Sequence, residues 1–90
     1  METRVAVVAV IVREGTAVTA LNDLLHQYAE HIIGRMGVPY HARGVSIISV
    51  AMDAPAGVIS ALSGKLGRLP GVTVKTVYAP EEALREPAQK

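Results

Sequence analysis

Three histidines, an arginine set among glycines and a Ser-Gly-Lys triplet are the side chains of this 90-residue chain whose types and spacing could do chemistry. His26 and Glu30 are separated by a helix-like step, as are Gln27 and His31, and residues four apart share one face of a helix. Each pair could offer two ligands to a metal ion, with His41 joining through folding or from a second subunit. The plainer alternative is that these histidines are solvated or hydrogen-bonded; His26 and His31 would turn away from each other on a helix. Ser63-Gly64-Lys65-Leu66-Gly67 has the outline of a phosphate loop. Such a loop needs Ser or Thr where Leu66 stands, and it must lie between a strand and a helix rather than late in a helical pattern. Ser63 and Gly64 then read as small residues that permit close packing, and Lys65 as a cation favoured near a helix C-terminus. Gly34-Arg35-Met36-Gly37 followed by Pro39-Tyr40 is denser in special residues than a hairpin requires. Glycine in a strand marks a bulge or a close backbone approach. Arg35 could hold an anion or cross to a neighbouring subunit, or it could protect an edge strand by its charge.

Composition removes several classes of function. Cysteine is absent, which excludes a disulfide framework, a thiolate metal site and a cysteine nucleophile. A net charge of +1 provides no basic field for non-specific nucleic-acid binding. Tyr28, Tyr40 and Tyr78 are the only aromatic residues, so the strands that would stack bases in an RNA-recognition module carry none. There is no nucleophile elbow, no usefully spaced carboxylate pair and no zinc motif, and Ser46, Ser49, Ser60 and Ser63 lack an evident activating base. Catalysis is not expected.

These residues must be positioned by a short series of elements. Val5 to Val12 is an unbroken apolar run, too short to span a bilayer and rich in β-branched residues, which predicts a strand in a soluble, cytoplasmic protein. Thr16 is a candidate N-cap, and Val18, Leu21, Leu25, Tyr28 and Ile32 recur at helical spacing, predicting a helix to about Glu30 or His31. A glycine-broken strand over 32–38, a hairpin connection over 39–44 and a strand over 45–52 follow. Asp53 as cap and Pro55 in the first turn predict a second helix with Ile59, Leu62, Leu66 and Leu69 on its apolar stripe, ending at Gly67 or Pro70-Gly71. Val72 to Tyr78 alternates as a last strand. The order βαββαβ predicts an α+β ferredoxin-like sandwich, a four-stranded antiparallel sheet with two helices on one face, as one domain over 1–78. The charged segment 79–90 reads as a solvated tail.

Strand one is apolar on both faces: Val5, Val7, Ala9 and Ile11 point one way, and Ala6, Val8, Val10 and Val12 the other. A sheet wet on one side should alternate apolar with polar. A domain this small also buries only about 60% of its unfolded surface, and neither disulfide nor metal is at hand to support it. Burial of the helix-free face in a homo-oligomer, dimer or tetramer, is the economical expectation.

Asn22 to Tyr28, Ile33 to Tyr40, Val45 to Ile48, Asp53-Ala54-Pro55, Ile59 to Gly67 and Leu69 to Thr76 together resemble the iron-only hydrogenase system regulator family, whose fold is ACT-like and similar to the C-terminal domain of nickel-responsive repressors. The resemblance covers about Arg4 to Tyr78. It implies a paired ferredoxin-like domain that binds a small effector at a subunit interface and regulates through a partner protein. ACT-like domains usually carry an Asp-x-Pro-Gly-like turn after strand one, where this chain has Arg13-Glu14-Gly15-Thr16. The repressors' nickel ligands are histidines and a cysteine in the hairpin strands; only His41 lies there, so that site does not carry over. Their DNA-binding arm has no counterpart in the resemblance, and direct nucleic-acid binding is not expected. The expected ligand region is intersubunit, near Arg35, Gly37, Tyr40, His41 and the Ser63-Gly64-Lys65 turn, with His26 as a polar contact and no cofactor named. A purely structural interaction module and a histidine-based metal-binding oligomer are the alternatives.

Overall fold

The computed structural model describes residues 2–81 and residue 85. β1 (Arg4–Arg13), α1 (Val18–Gln27), β2 (Ile32–Tyr40), β3 (Val45–Ala54), α2 (Ala56–Gly67) and β4 (Val72–Tyr78) succeed one another along the chain. The strands form a single antiparallel sheet in the order β2-β3-β1-β4, which is the ferredoxin-like α+β arrangement the element order implies. β1 is central because its residues suit burial on a pleated surface, and it pairs along its whole length with β3. Ala6, Val8, Val10 and Val12 turn to the helix side and meet Leu21 and Leu25 of α1 and Ile59, Leu62 and Leu66 of α2, all fully or nearly buried. No helix among the described residues is long and apolar enough to cross a membrane.

Local chemistry moves some boundaries. α1 ends at Gln27, the Tyr28 N–H closing onto the Leu24 and Leu25 carbonyls, and Ala29–His31 forms a single 3-10 turn. Ile32 continues the helical spacing but opens β2, where the strand over 32–38 is expected to begin; with Ile33 it makes a β-branched pair that favours extended backbone. Thr16 does not cap α1: its hydroxyl donates back to the Arg13 carbonyl, and Ala17 occupies the cap position. Asp53 does not cap α2 either. The β1–β3 ladder continues to the Arg4–Ala54 pair, which holds Asp53 extended opposite Val5 and leaves Pro55 at the cap position. Of the expected tail, Ala79 donates its N–H to the Val5 carbonyl at 2.9 Å, while 82–84 and 86–90 lie outside the described residues.

Three loops are fastened together where β1 ends. The Arg13 N–H reaches the Gly71 carbonyl at 2.9 Å and the Glu14 N–H reaches the Gly44 carbonyl at 2.8 Å. Gly44 and Gly71 both adopt positive φ, and a Cβ at Gly71 would lie only 2.7 Å from the Thr16 hydroxyl oxygen. Glycine is required at that turn by backbone conformation and by space alike.

Candidate functional site

The sheet has two unlike faces. On the helix-free side, strand pairing sets Val38, Ile47, Ile11 and Thr73 in one row, Met36, Ser49, Ala9 and Lys75 in the next, and Gly34, Ala51, Val7 and Val77 in a third. At about 4.8 Å between strands and about 6.6 Å between rows, this patch measures roughly 19 by 20 Å. Its large apolar side chains are open to solvent in the single chain, from 42% exposed at Val7 to 65% at Met36 and Val77. Arg13 stands beside Val45 at one end of this face and Asp53 beside Val5 at the other. β2 is the extreme case: Ile33 to Tyr40 is exposed throughout, because the helices cover β1, β3 and β4 but stop short of this edge. The register shift between Ile32 and Gly34 is the bulge that the strand glycines suggest. Gly37 marks no close approach; a Cβ there would make an ordinary 3.9 Å contact with Ile48.

On the helix side of β2, Arg35 lies opposite Val50 and reaches α1, its Nη2 donating to Asn22 Oδ1 at 3.1 Å. Asn22, Leu25, His26, Ala29, Ile32 and Arg35 line an open groove of about 360 Å³ between α1 and the strand. Arg35 and His26 are thus brought together within one chain. The other sequence candidates are not. Tyr40 is exposed at the end of β2. His41 pairs through Nδ1 with the Glu14 carboxylate, joining the hairpin turn to the β1–α1 loop at an exposed position. Ser63 accepts a hydrogen bond from the Thr76 hydroxyl at 3.2 Å, on the opposite edge of the sheet. Lys65 places its ammonium 5.3 Å from the centre of the Tyr28 ring, bridging the two helices. Gly64 faces only the Arg68 guanidinium, 4.0 Å from where a Cβ would be, so close packing does not account for it.

The paired-ligand reading of the histidines loses its geometric basis. α1 stops at Gln27, so Glu30 and His31 sit on the 3-10 turn and not on the helix face that carries His26. Among the described residues, no group of three or more His, Asp or Glu is placed to hold a metal ion. Asn22 is a groove residue that the sequence alone does not single out. Its signal was available, since Asn22 and His26 are one helical step apart, but the pairing gains meaning only when Arg35 arrives from another element.

A family model described as "TM1266-like: Iron-only hydrogenase system regulator, putative" matches residues 4–76. Among solved structures, the chain resembles an uncharacterized protein, TM1266, from Thermotoga maritima, with a TM-score of 0.85 and 36% sequence identity over 88% of this chain and 100% of that one. No curated protein matches.

Proposed function

We infer the function from one premise: the chain belongs to the TM1266-like family, whose members are described as iron-only hydrogenase system regulators. On that premise it is a non-catalytic regulatory domain, assembled as a homo-oligomer, that binds a small effector at or near a subunit interface and passes the state of that site to a partner protein. The observation that carries this reading is the helix-free face of the sheet. Val7, Ile11, Met36, Val38, Ile47 and Val77 leave an apolar surface on the order of a few hundred Å² on a sheet face that neither helix covers, a size at which such a patch is often functional. Arg13 and Asp53 at opposite ends of this face give a second copy a charge pattern it can complement when the two stack with their ends reversed.

The candidate ligand residues fit this reading in different ways. Arg35 and His26 border the groove beside the uncovered strand, and Gly37, Tyr40 and His41 continue along β2 and its turn, where a second subunit would pass. Ser63 lies over β4 and Lys65 reaches Tyr28 between the helices, and with Gly64 they join such a site only across an interface. Native mass spectrometry of protein purified gently without chelator tests assembly and ligand together. A multimer with reproducible extra mass is the expected result; a monomer at micromolar concentration contradicts the reading.

A further inference from the structure

We propose that the groove between α1 and β2 binds a small organic carboxylate, its charged end on Arg35 and its apolar body on Leu25, Ala29 and Ile32. The proposal rests on the regulatory reading above and names the ligand class for one part of that site. Arg35 has no carboxylate within ion-pair distance among the described residues; its observed partner is the neutral Asn22. Because a guanidinium only donates, the Asn22 amide must present its oxygen to it, which leaves the amide NH2 free to donate into the groove. Most of the guanidinium's donors remain open as well, in the fork that matches a carboxylate. His26 adds a ring nitrogen on the same wall. Leu25 is buried and Ile32 half-buried, so the floor beneath these polar groups is apolar.

The groove's size suits a ligand of a few carbons, and its positive charge disfavours a metal cation at His26. The C-terminal turn of α1 opposes an anion. Two of its carbonyls are already engaged by the Tyr28 N–H, and a full guanidinium charge outweighs the half-charge of a helix end.

The test is an NMR titration of the ¹⁵N-labelled full chain at constant ionic strength with 3-methylbutanoate, and with 3-methylbutanamide as its uncharged counterpart. The expected result is saturable shifts at Asn22, His26, Ala29 and Ile32 with a Kd on the order of 1–10 mM, the range open to a ligand this small in an open groove. The amide should bind about tenfold or more weakly. Arg35→Gln should abolish the carboxylate response, and Arg35→Lys should retain part of it because charge survives without the fork. Equal binding of acid and amide, an unchanged response in Arg35→Gln, or no saturable shift at the groove overturns the proposal. Sedimentation of the same samples separates the two claims. An intact multimer that ignores the acid defeats the carboxylate site alone, whereas a monomer that binds it defeats the assembly and leaves the groove standing.

Discussion

One sheet carries two apolar faces, and the chain covers only one of them. Ala6, Val8, Val10 and Val12 are at most 2% exposed beneath the helices, whereas Val7 and Ile11, from the same strand and of the same chemical kind, are 42% and 47% exposed. Residue type therefore does not distinguish the faces; the supply of covering elements does. Two helices of ten and twelve residues bury one side of the sheet and leave the β2 edge bare on both. The difference teaches that the helix face is the folding core of the single chain, while the open face sets large apolar side chains beside Ser49, Thr73 and Lys75 and is covered by no element of the chain.

Substitutions on the two faces should separate folding from assembly. Leu62→Ala empties part of the helix-side core and should cost about 2–5 kcal/mol, a large share of the stability of a domain this size, read as a lower denaturation midpoint. Gly71→Ala forces a positive-φ residue against Thr16 and should cost about 1–3 kcal/mol in the same assay, without altering subunit contacts. Ile47→Glu on the open face should leave the monomer's circular dichroism native while dissociating the assembly, since a carboxylate cannot be buried unpaired between apolar sheets. Its midpoint should lose the dependence on protein concentration expected of the native chain. A misfolded Ile47→Glu chain would collapse the distinction between the faces. His41→Ala removes an exposed pair with Glu14 and should shift stability by about 1 kcal/mol or less in thermal melts.

The fold was legible because it is written in periodicities of adjacent residues. The β1 run, the Ile59-Leu62-Leu66 stripe and the alternation of β4 each define an element without reference to any other. What escaped the sequence depended on distant partners. The helical spacing of Tyr28 and Ile32 continues past the point where β2 pairing takes over, and Asp53 has the chemistry of a cap but is held extended by β1. The candidate site was legible in part for the same reason. Arg35 and His26 stand out by type, but that they line one groove with Asn22, while Ser63 and His41 fall elsewhere, follows from packing that no local pattern encodes.

The central claim is that the open face of the sheet is covered by another copy of the chain. Sedimentation equilibrium of the native protein and of Ile47→Glu, from about 1 to 100 μM, addresses it most directly, since a Kd below that range leaves the mass constant throughout it. A native multimer of constant mass, with a folded monomer for the variant, is the result expected. A native chain that sediments as a monomer throughout would contradict the claim.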